Sequence, residues 1–151
     1  MTDKNKELRD KFEVTGYFYM EGGLKFRKYL NIRLKGSNLQ KPDLMVIMMN
    51  PGSSRPKGNK DIVRYECETE AVPDRTQYQI MQVMMRKNYS YARVLNLSDY
   101  CNSNSKNLFF FLERTDIGMK GEHSIFHKER EEDFNDYFVK DVPVIYAWGG
   151  V

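Results

Sequence analysis

The sequence predicts an α/β protein, a three-layer α/β/α sandwich with a short, mostly parallel sheet and an antiparallel β-hairpin near its N-terminus. Three observations carry that expectation. The run Leu44-Met-Val-Ile-Met-Met49 is apolar without alternation, as a strand covered on both faces requires. A turn-rich loop and a helix signature over 74–87 follow it. Two later strand-like runs, 91–97 and 142–148, are separated from each other by helical segments, the rhythm of strands joined by crossovers.

Each element has a local reason. Segments 12–20 and 24–34 are rich in Tyr, Phe, Val and Ile and flank Glu21-Gly22-Gly23, whose glycines tolerate the positive φ of a tight hairpin turn. Pro42-Asp43 introduces the first central strand. The stretch Asn50-Pro-Gly-Ser-Ser-Arg-Pro-Lys-Gly-Asn59 is turn chemistry throughout and leaves that strand at its carboxyl end. Asp74 after Pro73 is a helix N-cap, Ile80, Met81, Met84 and Met85 recur at helical spacing, and Arg86 and Lys87 complement the C-terminal dipole. The methionine stripe reads as core packing.

The second strand, 91–97, runs into a polar loop over 98–106. A short helix is expected over 107–114, then a loop bearing Gly118 and Gly121. A charged helix over 127–140 buries Phe134, Tyr137 and Phe138 on one face and is ended by Asp141 and Pro143. The third strand, 142–148, is closed by Gly149-Gly150. Three central strands without a closing helix leave an edge uncovered, so residues 1–151 are read as a single domain lacking its C-terminal strand and loop, or one whose edge is covered by a partner or the hairpin.

Composition limits the function classes. With 40% hydrophobic and 30% charged residues the chain is too apolar for disorder, and its 151 residues suit one core. The longest clean apolar run falls far short of the roughly 20 residues of a membrane helix. No apolar stretch follows the charged N-terminus as in a secretory signal, so a cytoplasmic protein is expected, with Cys67 and Cys101 as free thiols. The net charge of +3 permits contact with phosphate without demanding it. Lys25, Arg27, Lys28, Arg33, Lys35 and Lys41, then Arg55, Lys57 and Lys60, make the first part basic, while 129–136 is acidic. Both are read as solvated surface.

Ligands of open α/β sheets collect outside the carboxyl ends of the strands. Three segments are expected to meet there: Asn50, Pro51, Gly52, Ser53, Ser54 and Arg55 after the first strand, Asn96, Asp99 and Tyr100 after the second, and Trp148 with Gly149 after the third. The first offers an amide, two hydroxyls, a guanidinium and glycine-exposed N–H groups, a set that holds a phosphate, a sugar or a base edge. Tyr100 and Trp148 are the stacking candidates. His123 and His127 lie four apart between Glu122 and Glu129, but no cysteine or third histidine stands near, and no metal is expected. No phosphate-binding or dinucleotide glycine fingerprint occurs, so no cofactor is expected.

The order Ile47-Met-Met-Asn-Pro-Gly-Ser-Ser54, Asp74-Arg-Thr76, Val94-Leu-Asn-Leu97, Asn135-Asp136 and Ala147-Trp-Gly149 resembles a bacterial and phage family, the domain of unknown function sixteen forty-three. The likeness covers about residues 14 to 149. The family commonly places an arginine after its second strand, where this chain has Ser98-Asp99, and continues into a further strand and a His-Pro tail beyond the point where this chain ends. Met49-Asn-Pro-Gly-Ser-Ser54 is distantly similar to the mismatch-specific branch of the uracil-DNA glycosylases. That resemblance implies Asn50 as the residue holding the hydrolytic water, Pro51 to Ser54 as the pocket floor, and no counterpart before Val151 of the superfamily's histidine-containing second loop. An asparagine amide is a poor general base but aligns a water and offers a carbonyl dipole.

These readings converge on a protein that binds a nucleotide, a base or nucleic acid at the strand ends. Two alternatives stand beside it. One is a hydrolase of a small N-glycoside or nucleotide. The other is a non-enzymatic interaction module, phage-related, that docks a protein partner or a second copy through its sheet edge or methionine-rich helix.

Overall fold

The computed structural model describes residues 2–59, 66–102 and 122–147. Strands β1 (Phe12–Glu21) and β2 (Leu24–Leu34) pair antiparallel around Gly22 and Gly23. Those glycines sit at φ 56° and 76°, a region side chains resist, so the turn depends on them. Before β1 comes helix α1 (Asp3–Lys11), capped by the Thr2 hydroxyl accepting from the Asn5 N–H. Leu8 is its one apolar residue and is buried. No periodicity marks such a helix in the sequence.

Among the described residues five more strands complete a sheet of seven: β3 (Leu44–Met48), β4 (Arg55–Pro56), β5 (Cys67–Val72), β6 (Tyr91–Asn96) and β7 (Val144–Tyr146). Their order across the sheet is β4-β5-β1-β2-β6-β3-β7. The expectation of a mostly parallel sheet is corrected here to a mixed one. Only β6, β3 and β7 run parallel, while the other four ladders are antiparallel. The cause is that β2 bonds directly to β6, so the N-terminal strands form the middle of the sheet instead of ornamenting it. Polar Glu68, Thr69 and Glu70 disguise β5 in the sequence, yet it extends the sheet beyond β1.

Helix α2 (Arg75–Lys87) starts as the sequence predicts. Asp74 caps it in a full capping box, accepting from the Gln77 N–H while the Gln77 side chain accepts from the Asp74 N–H, and Asn88 ends it in the left-handed conformation. Removing the cap by Asp74→Ala is expected to cost about 1 kcal/mol in urea unfolding. An unchanged midpoint would contradict the cap's role. Of the stripe, Ile80, Met81 and Met84 are buried and Met85 is exposed.

Alternation along β3 divides the core. Leu44 and Val46 pack with Leu8, Phe18, Leu30, Ile32, Met81, Met84 and Val94 on the face covered by α1 and α2. Met45 and Ile47 pack with Leu95 and Ile125 and with half-buried Phe134, Tyr137 and Phe138 on the other. Burial without alternation in polarity is the pattern of a strand covered on both faces. The charged helix is shorter than the predicted 127–140. A 3-10 turn over Lys128–Arg130 leads into α3 (Glu131–Tyr137), after which Phe138 is extended and Asp141 takes φ 66°. Val139, Val142 and Pro143 in that stretch disfavour helix continuation. The predicted helix over 107–114 lies outside the described residues. Among the described residues no helix is long and apolar enough to cross a membrane.

Candidate functional site

Strands β3 and β6 are parallel, so the loops that leave their carboxyl ends start side by side. The Leu97 and Ser98 N–H groups donate to the Met48 and Met49 carbonyls, and the Asn102 N–H donates to the Pro51 carbonyl. Asn50 ties the two loops together. Its Nδ2 lies 3.1 Å from the Pro51 carbonyl oxygen, 3.0 Å from that of Tyr100 and 2.8 Å from that of Asn102. An amide so held on its nitrogen side has a fixed orientation, and its Oδ1 accepts no hydrogen bond from the described residues. Ala147 leaves β7 at the same rim, its N–H donating to the Ile47 carbonyl. Trp148 and Gly149 lie outside the described residues.

The other predicted residues divide by burial. Pro51 and Ser54 are buried, Gly52 is half-buried, and Ser53 and Arg55 are exposed. Arg55 begins the β4 ladder opposite Val72, which brings the end of this loop to the start of α2. A Cβ built on Gly52 would stand 3.5 Å from Asp74 Oδ2. The Tyr100 ring packs 5.9 Å from that of Phe26, in a cluster with Tyr19, Leu24 and Met49. Asn96 is fully buried and its Nδ2 has no hydrogen-bond partner, as is true of the Ser54 hydroxyl.

Asp99 is the most heavily engaged of the predicted residues. Its N–H donates to the His123 carbonyl, and its own carbonyl accepts from the Arg27 N–H. Oδ2 accepts from the Tyr19 hydroxyl at 2.9 Å and from Arg130 Nη1 at 2.6 Å, while the fully buried Oδ1 has no partner. Burial raises the carboxyl to about 6, although Arg130 and Tyr19 pull the other way. Burial likewise drives the Tyr19 hydroxyl up, with Asp99 adding to the effect. Arg130 also donates from Nε to Asp133 and from Nη1 to the Glu122 carbonyl. Tyr19 and Arg130 line a cleft of about 250 Å³ together with Lys28, Glu66 and Glu122. A larger cleft of about 520 Å³, between Arg9, Glu13, Lys57 and Glu70, involves none of the predicted residues.

Arg27 departs most from expectation. Instead of lying on a solvated basic surface it is 1% exposed. The register of β1 and β2 shifts between Tyr17, opposite Tyr29, and Phe18, opposite Arg27, so Lys28 is an extra residue. That bulge carries Lys28 over the Tyr17 ring, 4.8 Å from its centroid, and turns Arg27 to the face of Phe18, beneath α2. There Arg27 Nη2 donates to Asn96 Oδ1 at 3.2 Å, and Nε and Nη1 have no partner. Burial lowers its pKa although Cys101, Asp74 and Asp99 oppose the shift. Strict alternation from Leu30 and Ile32 would put Arg27 on the opposite face, so only the bulge reveals it.

The histidines do not share a helical face. His123 Nδ1 pairs with the Ser98 hydroxyl at 2.8 Å, and His127 Nδ1 accepts from the Glu129 N–H to cap the 3-10 turn. Cys101 is a free thiol, and burial raises its pKa to about 12, so the reactive thiolate is scarce at neutral pH. In comparisons with protein-family models, with curated proteins and with solved structures, nothing matches the chain.

Proposed function

We propose that this rim binds a nucleotide, a base or nucleic acid, on a three-layer α/β/α frame related to the family of unknown function sixteen forty-three and, distantly, to the uracil-DNA glycosylases. The single observation that carries the reading is the Asn50 clamp. Three carbonyls hold its nitrogen, and the oxygen they leave over is an oriented acceptor for a water or a base N–H. The two core clusters on opposite faces of the sheet support the layered frame. Exposed Arg55 ends the same loop and is a cation a phosphate could meet, while Lys57 beyond it is paired with Glu70.

Binding of single- and double-stranded DNA, RNA and free nucleotides at rising salt tests this. Wild-type binding is expected to weaken with salt. Asn50→Ala should lower affinity at least tenfold, and Arg55→Ala should reduce the salt slope. Salt-independent behaviour, or indifference to both substitutions, contradicts the nucleic-acid form of the reading. A second reading, hydrolysis of a small N-glycoside, draws on the cleft lined by Tyr19 and Arg130, the two partners of Asp99, whose carboxyl burial raises to about 6. Release of free base from a nucleoside panel separates hydrolysis from binding alone.

A further inference from the structure

We infer that Arg27, Asn96 and Ser54, under the N-terminal end of α2, form a receiving site for an oxyanion, the phosphate or carboxylate group of the ligand bound at this rim. The inference deepens the proposed function by naming the charge its ligand carries and the residues that meet it. The Arg27 guanidinium is buried, yet it has no carboxylate in salt-bridge contact among the described residues. One hydrogen bond, to Asn96 Oδ1, is what it makes. Leaving two guanidinium nitrogens buried and unbonded is costly, and a structural arginine in this place would have a partner.

The surroundings add donors, and two carboxylates, Asp74 and Asp99, lie close enough to act on Arg27. Asn96 Nδ2 and the Ser54 hydroxyl are buried and unpartnered like Arg27 Nε and Nη1. The capping box spends the Asp74 and Gln77 N–H groups and leaves those of Arg75 and Thr76 at the head of α2, where the helix dipole favours an anion. Both carboxylates have other partners: Asp74 Oδ1 accepts from the Gln77 N–H, and Asp99 Oδ2 from the Tyr19 hydroxyl and Arg130. Gly52 brings the loop backbone close to that helix end, where a Cβ would stand in ordinary contact with Asp74 Oδ2. An oxyanion is the ligand chemistry that satisfies a guanidinium, an amide N–H, a hydroxyl and helix-terminal amides together.

Thermal unfolding with inorganic phosphate, pyrophosphate or acetate, each against potassium chloride of equal ionic strength, tests the site. Wild type is expected to gain Tm with at least one oxyanion, and whether phosphate or acetate acts tells which group the ligand bears. Arg27→Met should be as stable as wild type or more so without ligand, since it removes an unpaired buried charge, and should lose the oxyanion response. Equal shifts in both proteins, or no shift with any of the three, overturn the proposal. Should Arg27→Met fail to fold, the Arg27 Nε–H resonance of wild type decides: it moves on phosphate or acetate addition if the site is real, and stays if it is not. Nucleotides binding wild type and Arg27→Met equally would refute this site while leaving the proposed function intact. Pyrophosphate binding that needs Arg27, with no binding of nucleosides or bases, would support the site and refute the nucleotide reading.

Discussion

Replacing Arg130 with methionine is expected to destabilise the protein by about 3–5 kcal/mol, because it strips the charged partner from a fully buried carboxylate. Asp99 would keep only the Tyr19 hydroxyl on Oδ2 and nothing on Oδ1. Arg130 also holds α3 and the preceding turn to the sheet through Asp133 and the Glu122 carbonyl, so the loss extends beyond one ion pair. Guanidinium chloride unfolding gives the value directly. The deficit should be smaller at pH 5 than at pH 8, since a protonated carboxyl no longer requires a cation. Adding Asp99→Asn to Arg130→Met should recover part of the loss, and a single-mutant cost under about 1 kcal/mol would place the pair among weak surface bridges.

Wild type should also lose stability relative to Asp99→Asn as pH rises from about 4 to about 6. The folded carboxyl is raised from its ordinary 3.8 to about 6 by burial. A group raised on folding contributes fully below its unfolded value and loses that contribution as pH climbs through the folded one. At about 1.4 kcal/mol for each pH unit between the two values, the change approaches about 3 kcal/mol. Asparagine has no such titration, so the difference between the two unfolding curves isolates the effect. A carbon-13 NMR titration of Asp99 should show its midpoint near 6, and a midpoint at or below 4 would refute the expectation.

What could be read from the sequence were the elements whose signals are local. Leu44–Met48 has apolar continuity, α2 has a cap and a period, and Tyr91–Asn96 has β-branched and aromatic residues bounded by turn chemistry. Their juxtaposition follows from sheet physics alone, and the Asn50 amide bonded to the Tyr100 and Asn102 carbonyls joins the two described loops together with the backbone bond from Asn102 to Pro51. Hidden were the features that depend on distant partners. Tyr19 and Arg130 meet Asp99 from 80 and 31 residues away, and no spacing rule connects them. The strand Cys67–Val72 carries acidic side chains that mask it, and α1 has a single apolar anchor. The antiparallel share of the sheet was missed for a related reason: nothing in a hairpin's own residues says whether its outer edge will be solvated or bonded to another strand.

The extra Lys28 has a consequence for comparing this chain with others. Deleting Lys28 would restore regular alternation, with Arg27 then next to Tyr29 and still opposite Phe18, so the guanidinium would keep its side of the sheet. A relative with the extra residue therefore carries the equivalent arginine three positions before its counterpart of Leu30, whereas one short by a single residue carries it two positions before. Counting residues across this stretch, more than matching their identities, tells whether another chain has inherited the same interior charge.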